Sequence, residues 1–281
     1  MKKSIGILYI CTGKYHLFWQ DFFRSFEKYF LPNTEKRYYV FTDQDVVYGE
    51  DQCSRIKVIH TKPLPWPLIT LLRFNYFLSI EDELRENDYL MFSNANIVCE
   101  DKVSEAEFLP VNDEMGMAFV KHPGYYYSKI IDTPLERSKR SLAYVPYNCG
   151  TDYVIGAMFA GKTKDFLRMC SILNDRINSD LAKGVIAKWH DESHLNRYII
   201  NQKNYKLLSA SYCYPCGIEL PIERKICAVS KKAKFDVDGF KNKNLKIRNL
   251  GIRKNYILLI HIKNRLLYLR DCLLKKNVER L

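Results

Sequence analysis

Short apolar segments alternate with stretches of helical spacing through the first half of the chain, and this alternation restricts the possible folds strongly. Residues 5–12, 37–43 and 88–93 are rich in β-branched and aromatic residues and have the length of buried strands. Residues 16–30 and 70–85 lie between them and place apolar side chains every three or four positions, as amphipathic helices do. The pattern predicts an α/β fold with a parallel sheet.

Two segments at the carboxyl ends of these predicted strands are candidates for a ligand site. The segment from Ile10 to Tyr15 follows the first strand, and Asn94-Ala95-Asn96 follows the third. Ligands of open α/β sheets bind beyond the carboxyl ends of the strands. We therefore expect a ligand site where these two segments meet.

The charge of the chain is concentrated at its C-terminal end. The formal net charge is +12, and residues 231–281 hold fifteen Lys and Arg against four acids. The first 230 residues are almost neutral, which argues against a nucleic-acid-binding body. Hydrophobic residues make up 47% of the 281 residues, so residues 1–230 can form one globular domain with a sizeable core.

The C-terminal residues have two different patterns. Residues 231–254 are polar and basic with few apolar anchors, which predicts a mobile segment. Residues 255–281 place Leu, Ile and Tyr at helical intervals among Lys and Arg, which predicts a basic amphipathic helix on an anionic membrane surface. A helix packed on the body or on a partner chain is the alternative.

The cysteines and the N-terminal segment favour a reducing compartment. Nine cysteines are scattered along the chain, mostly within apolar runs, and Cys213 and Cys216 have zinc-type spacing without a second pair. Thr12, Gly13 and Lys14 interrupt the first apolar run too early for a signal peptide. We expect a cytoplasmic protein, peripheral on the inner face of the cytoplasmic membrane.

The densest polar cluster is residues 189–196, with the sequence WHDESHLN. His190 and His194 would share a helix face, as in the HExxH motif of zinc proteases, but Asp191 replaces the glutamate and no third ligand follows. Glu192 could instead face a developing oxocarbenium ion in a sugar pocket. A structural interpretation is that both acids favour the first turn of a helix.

The sequence WHDESHLN resembles the signature of glycosyltransferase family 6, the family of the histo-blood-group A and B transferases and the α1,3-galactosyltransferase. The likeness extends from about residue 5 to residue 232. It implies a GT-A type, Rossmann-like fold and retaining α1,3-transfer of galactose or N-acetylgalactosamine from a UDP-sugar to a galactose-terminated glycan. Further segments agree in order: residues 39–43 (YVFTD), 122–125 (HPGY), 143–146 (AYVP), and Leu208-Ser209 with Tyr212.

The resemblance implies a role for residues that follow the first strand and for a C-terminal lysine. Lys231 matches a lysine that closes over the diphosphate of the donor, and Lys232 would replace it after a shift of one residue. The positions that match the uridine-binding stretch are Ile10, Cys11, Thr12 and Tyr15.

Five further residues match the parts of the family that bind the two sugars. Glu192 matches the candidate nucleophile, and Asp191 matches a residue that binds hydroxyls of the transferred sugar. Arg73 matches an arginine that reaches the donor. His122 matches a contact of the acceptor galactose, and Trp189 offers an apolar platform for a sugar ring.

The triplet Ile155-Gly156-Ala157 matches the positions that separate the two donor sugars in the blood-group enzymes. The methyl group of Ala157 narrows the space for an N-acetyl group, as in galactose-specific members. Overpacking of this kind costs about 1 to 3 kcal/mol, which is enough for tenfold discrimination. We therefore favour UDP-galactose as the donor.

Asn94 and Asn96 stand where vertebrate members of the family have an Asp-x-Asp pair that holds Mn²⁺. Neutral amides are poor ligands for a hard divalent cation. The sequence thus resembles the bacterial branch that works without metal, and we expect no cofactor. Arg73 and Lys231 are then the candidates that neutralise the departing diphosphate.

The sequence departs from the family pattern at positions implied in acceptor recognition. Residues 135–138 read LERS instead of YERR, and Tyr214-Pro215 replaces Trp-Asp. The acceptor is expected to be a galactoside, lipid-linked or of the lipopolysaccharide type, and not a nucleic acid. A non-catalytic sugar-binding protein on the same scaffold is the second hypothesis.

Overall fold

The computed structural model describes residues 3–112, 114–147, 149–237 and 239. The strands are β1 (Ser4–Ile10), β2 (Glu35–Thr42), β3 (Ile56–His60), β4 (Tyr89–Ser93), β5 (Ile97–Cys99), β6 (Met117–Lys121), β7 (Val154–Lys162), β8 (Tyr205–Leu208), β9 (Tyr214–Pro215) and β10 (Ile226–Ala228). The α-helices are α1 (Trp19–Tyr29), α2 (Leu68–Leu71), α3 (Arg73–Leu78), α4 (Glu81–Leu84), α5 (Glu105–Phe108), α6 (Thr163–Ala182) and α7 (His190–Ile199). Short 3-10 helices cover Gly13–Phe18, Pro123–Tyr125, Ile130–Asp132, Ala210–Cys213 and Lys231–Ala233.

A seven-stranded sheet with the order β3-β2-β1-β4-β7-β6-β8 forms the centre of the molecule. The strands β3, β2, β1 and β4 are mutually parallel. β7 runs antiparallel to both of its neighbours, β4 and β6. The predicted α/β, Rossmann-like fold with a parallel sheet in the N-terminal half is therefore confirmed.

Aromatic side chains fill the core on both faces of this sheet. On one face, Phe22 of α1 contacts Phe26 and Tyr9 of β1, with ring centroids 4.0 and 4.5 Å apart. On the other face, Phe159 of β7 contacts Phe166 of α6 at 5.5 Å. A sheet covered on both faces explains why its strands read as continuous apolar runs instead of alternating ones.

The single helix predicted over residues 70–85 is wrong in detail. The segment forms the three short helices α2, α3 and α4, because the backbone leaves helical geometry at Leu72, with ψ 10°, and at Ile80, with ψ 27°. The first break places Arg73 at the start of α3, where its side chain is buried. The break thus turns the guanidinium of Arg73 towards Phe92 of the central sheet.

A second sheet, of order β5-β10-β9, brings C-terminal residues back to the end of β4. Phe235 and Val237 then pack into the same core cluster as Tyr9. The predicted mobile segment lies outside the described residues from residue 240 onward, and the predicted helix over 255–281 lies wholly outside them. Within the described part of the chain, every helix is too short or too polar to cross a bilayer.

Candidate active site

A cleft of about 430 Å³ opens at the carboxyl ends of β1 and β4. The loops after both strands form its walls, together with a proline-rich segment that follows β3. Seven of the residues implied by the family resemblance line this one cleft: Ile10, Thr12, Tyr15, Arg73, Asn94, Asn96 and Lys231. The strand order brings them together because parallel strands end at the same edge of a sheet.

Tyr15 and Lys231 form one side of the cleft. The Nζ atom of Lys231 lies 5.3 Å from the centroid of the Tyr15 ring, which is cation–π distance. Phe235 packs edge-on against the same ring, with centroids 5.3 Å apart. Of the two candidate lysines, Lys231 is the one that lines the cleft, whereas Lys232 is exposed.

Cys11 lies beside this cleft, but its thiol does not line it. The side chain is 1% exposed and belongs to the core, and burial raises the pKa of the thiol to about 12. Its backbone nitrogen donates to the carbonyl of Phe41, and its carbonyl accepts a hydrogen bond from Thr42. These atoms hold the end of β1 against β2.

Asn96 fastens the loop after β4 to the segment that precedes Lys231. The side-chain Nδ2 of Asn96 donates to the backbone carbonyl of Val229 at 2.7 Å, and the backbone carbonyl of Asn96 accepts from the Val229 nitrogen at 2.9 Å. A carboxylate at this position has no hydrogen to donate and would face the Val229 carbonyl repulsively. The amide of Asn96 is therefore matched to its surroundings.

The site does not fit the manganese ion of the vertebrate members. Asn94 and Asn96 offer only neutral oxygens, and the amide nitrogen of Asn96 is directed at a carbonyl. Among the residues that the structure describes, no three His, Cys, Asp or Glu side chains converge as a metal site would require.

Arg73 is a buried cation that joins three elements. Its side chain donates to the carbonyl of Gly156 at 2.8 Å and lies 3.2 Å from Oδ2 of Asp191. The guanidinium also stacks 4.3 Å from the ring centroid of Phe92. Burial lowers the pKa of Arg73, and Asp191 and Glu192 oppose this shift.

Asp191 and Glu192 occupy the first turn of α7, where the helix dipole favours acids. Burial raises the pKa of Asp191 to about 6, although the adjacent Arg73 lowers it. Glu192 accepts two hydrogen bonds, from the Tyr153 hydroxyl to Oε1 at 2.7 Å and from the Gly156 nitrogen to Oε2 at 2.8 Å. Burial raises the pKa of Glu192, and these two bonds counteract that effect.

Gly156 connects the cleft to Glu192. Its carbonyl binds Arg73, which lines the cleft, while its nitrogen binds Glu192. A Cβ atom at position 156 would lie 3.1 Å from Cβ of Glu192 and 3.3 Å from Oδ2 of Asp191. Glycine lets the triplet approach α7 closely, and the neighbouring Ala157 binds the Asn94 nitrogen through its carbonyl.

His122 lies beside Glu192. Its Nδ1 accepts from the Gly124 nitrogen, so Nε2 carries the proton, and Nε2 lies 3.9 Å from Oε1 of Glu192. Burial lowers the pKa of His122 to about 4, which leaves the ring neutral at pH 7. Trp189, one residue before α7, is 45% exposed and thus accessible to an acceptor.

The two histidines of residues 189–196 do not form a shared metal site. His190 adopts a positive φ of 53°, which is uncommon outside glycine, and its ring packs against Trp66 at 4.8 Å. His194 is buried, with Nε2 lying 3.6 Å from Oδ2 of Asp180. The two side chains face different surroundings, which removes the basis for a metal-dependent hydrolase.

Sequence reasoning missed several residues of the site. Residues 63–66 and Thr70 line the cleft, and the Thr70 hydroxyl donates to the carbonyl of Pro67 at 2.8 Å. The segment follows β3, whose sequence IKVIH has the β-branched character of a strand. The rule that ligands bind after strands would have found it. Tyr153 carries no comparable signal, because its partner Glu192 is distant in sequence.

Comparison with known proteins agrees with this geometry. The model of glycosyltransferase family 6 matches residues 1–238. The O-antigen biosynthesis glycosyltransferase WbnI of Escherichia coli is 41% identical over 211 residues, which cover 75% of this chain and 88% of that protein. The resemblance seen in the sequence is confirmed.

Vertebrate relatives match the same part of the chain. The globoside alpha-1,3-N-acetylgalactosaminyltransferase 1 of Gallus gallus is 33% identical over 221 residues, covering 76% of this chain and 62% of its own length. The histo-blood group ABO system transferase 2 of Rattus norvegicus is 30% identical over 217 residues, covering 75% and 63%. The chain thus spans just under two thirds of these two relatives.

The position of Lys231 gives a first prediction. Lys231→Ala should weaken UDP binding about tenfold or more, because hydrogen bonds to charged groups contribute about 1.5 to 3 kcal/mol. The matched change Lys232→Ala, one residue further along, should alter the dissociation constant less than about twofold. Titration calorimetry with UDP measures both, and an equal loss in the two variants would contradict the placement of Lys231.

Proposed function

We propose that this chain, which belongs to glycosyltransferase family 6, transfers galactose from UDP-galactose to a galactose-terminated glycan, with retention and without a bound metal ion. One observation carries the proposal. The cleft that holds Tyr15, Arg73 and Lys231 is connected through Gly156 to the partly buried carboxylate of Glu192. A nucleotide-sugar that bridges the two would place its anomeric carbon near that carboxylate.

The linkage is inferred from the family. The relative from Gallus gallus is named for alpha-1,3 transfer. A UDP-hexose donor of this kind is α-linked, so an α-linked product requires retention. In a retaining enzyme, a carboxylate faces the anomeric carbon, where it attacks the sugar or stabilises its positive charge. Glu192 has the burial and the orientation for either route.

Each remaining group has a task in the proposed reaction. The bond between the anomeric carbon and the diphosphate breaks, and Lys231 compensates the negative charge that develops on UDP. The anomeric carbon then bonds to the acceptor oxygen, whose proton passes to the departing diphosphate. Asp191, held by Arg73, accepts hydrogen bonds from hydroxyls of the transferred sugar. The proton on Nε2 of the neutral His122 is available to an acceptor oxygen, and the exposed ring of Trp189 packs against the acceptor.

Metal independence is supported by the chemistry of the two asparagines. The amide of Asn96 donates to the Val229 carbonyl, which a metal-binding carboxylate could not do. This bond lies two residues before Lys231. The residue that replaces a metal ligand therefore also anchors the segment that carries the cation.

The preference for galactose is supported by Ala157. Ala157 is buried, and its backbone carbonyl binds the nitrogen of Asn94, which lines the cleft. In the proposed complex an N-acetyl group would compete with the Ala157 methyl group for space. Ile155, two residues earlier, is partly buried and packs on the core.

A location on the cytoplasmic membrane face is part of the proposal. It is motivated by the basic amphipathic sequence of residues 255–281 and by the O-antigen role in the name of the Escherichia coli relative. The acceptor would then be a lipid-linked glycan. A polybasic helix would raise the local concentration of enzyme at anionic lipid.

The reaction is tested by a screen of both donors. UDP-galactose should be turned over at least about tenfold faster than UDP-N-acetylgalactosamine on galactosides with and without α1,2-fucose, because overpacking costs about 1 to 3 kcal/mol. Excess EDTA should leave the rate unchanged. Activity that EDTA abolishes and Mn²⁺ restores would contradict metal independence, and UDP binding without transfer or hydrolysis would favour a sugar-binding protein.

The role of Glu192 is tested by a neutral isostere. Glu192→Gln should reduce turnover by several orders of magnitude with little change in UDP affinity, because a group that acts in the transition state affects turnover more than binding. Glu86→Gln is the control, since its carboxylate is 70% exposed. A loss below about tenfold in Glu192→Gln would remove this residue from the reaction centre.

Membrane attachment is tested by truncation. Removal of residues 255–281 should leave turnover of a soluble disaccharide intact and abolish sedimentation with anionic vesicles, because a basic amphipathic helix binds such surfaces through charge and apolar area. Neutral vesicles are the control for the intact chain. Unchanged sedimentation of the truncated chain with anionic vesicles would show that this segment is not the anchor.

A further inference from the structure

Tyr153 is a buried tyrosine directly before β7, and its hydroxyl is bonded to Glu192. The hydroxyl donates to Oε1 of Glu192 at 2.7 Å, while the nitrogen of Gly156 donates to Oε2 at 2.8 Å. Both carboxylate oxygens are thus held by one short stretch of chain, residues 153–156. We infer that Tyr153 is a positioning residue that fixes the Glu192 carboxylate in one orientation, an inference that rests on the proposed function.

The ring of Tyr153 is held from two sides. The His122 ring lies 5.4 Å away and the Tyr125 ring 5.3 Å away, the latter in an edge-on contact. Tyr153 is 4% exposed, so the ring has little room to rotate. The hydroxyl is therefore presented to Glu192 by packing and not by the hydrogen bond alone.

The hydroxyl also remains a donor throughout the working pH range. Burial and the adjacent Glu192 carboxylate raise the pKa of Tyr153 well above its ordinary value. A carboxylate that accepts a hydrogen bond from a permanent donor is favoured in its ionised form. That is the form a nucleophile or a cation-stabilising group requires.

Other charged or titratable groups also lie near the Glu192 carboxylate, and they differ in how they affect its pKa. Arg73 of α3 lowers the pKa of Glu192 through its charge, without a hydrogen bond to it among the described contacts. His122 is neutral and lies 3.9 Å from Oε1. The groups that surround the carboxylate are Arg73, Asp191, His122, Tyr153 and Cys213.

The hydrogen bonds from Tyr153 and Gly156 also determine which neighbour each oxygen of the Glu192 carboxylate faces. Oε2 lies towards Gly156, whose carbonyl binds Arg73 at the cleft, and Oε1 lies towards His122. Without these two bonds the carboxylate plane could rotate and turn its lone pairs away from the direction that the bonds fix. Tyr153 thus converts a flexible acid into one that is already oriented before the donor binds.

The inference is tested with Tyr153→Phe in the full chain, which removes the hydroxyl and keeps the ring contacts. Tyr205→Phe is the matched control, because the Tyr205 hydroxyl donates at 2.6 Å to the carboxylate of Asp152, the residue before Tyr153, and not to Glu192. Tyr153→Phe should lower kcat about ten- to a hundredfold, the cost of one hydrogen bond to a charged group, with UDP affinity within about twofold of the parent. Tyr205→Phe should change neither quantity by more than about twofold.

The pH profile separates positioning from a general loss of structure. Without the Tyr153 hydroxyl the ionised form of Glu192 loses a donor, so its pKa should rise and the acid limb of kcat should move to higher pH. If Tyr153→Phe changed neither kcat nor the acid limb of its pH profile, the inference would be wrong. Inactivity of Glu192→Gln would in that case still support the proposed function.

A measurement that needs no turnover distinguishes a failure of the Tyr153 inference from a failure of the proposed function. In protein labelled with ¹³C at the glutamate carboxyl carbons, the Glu192 resonance is identified by its absence in Glu192→Gln. Its titration should shift to higher pH in Tyr153→Phe and not in Tyr205→Phe. If the parent protein turned over neither donor, the proposed function would fail, and the titration would still decide whether Tyr153 controls this carboxylate.

Discussion

The site depends on the buried pair of Arg73 and Asp191. Removing a guanidinium and a carboxylate from water costs several kcal/mol each, and only close pairing with further hydrogen bonds compensates this cost. Here the guanidinium also donates to the carbonyls of Gly156 and Thr70 and stacks on Phe92. The pair joins α3, β7 and α7, and Glu192 is the next residue along α7. Its position relative to the cleft therefore follows from the ion pair.

The strands of the central sheet and the position of the residues directly after them could be predicted from local sequence. Strands β1, β2 and β4 are apolar runs of β-branched and aromatic residues, and the polar residues directly after them had to lie at one edge of a parallel sheet. This reasoning placed Tyr15 and Asn96 in the same cleft without any knowledge of their contacts. Cys11 shows its limit, because strand position alone does not tell on which side of the backbone a thiol lies.

Contacts between distant parts of the chain could not be predicted. Periodicity suggested one helix over residues 70–85, whereas burial of Arg73 required a break at Leu72, which is an effect of tertiary structure on local geometry. The bond between Tyr153 and Glu192 joins residues 39 positions apart. Its existence depends on how β7 packs on α7, and that packing depends on the small size of Gly156. No pattern within either segment contains this information.

The replacement of metal-binding carboxylates by amides has a structural consequence as well as an electrostatic one. Among the described residues that line the cleft, Arg73 has its charge paired with Asp191, so less of it is available to a diphosphate. In the proposed reaction, Lys231 therefore compensates most of the charge on the departing UDP. The lysine lies two residues after Val229, whose backbone binds both ways to Asn96. In the proposed reaction, the asparagine that is a poor ligand for a divalent ion thus also fixes the backbone that presents the lysine, so both effects depend on one contact.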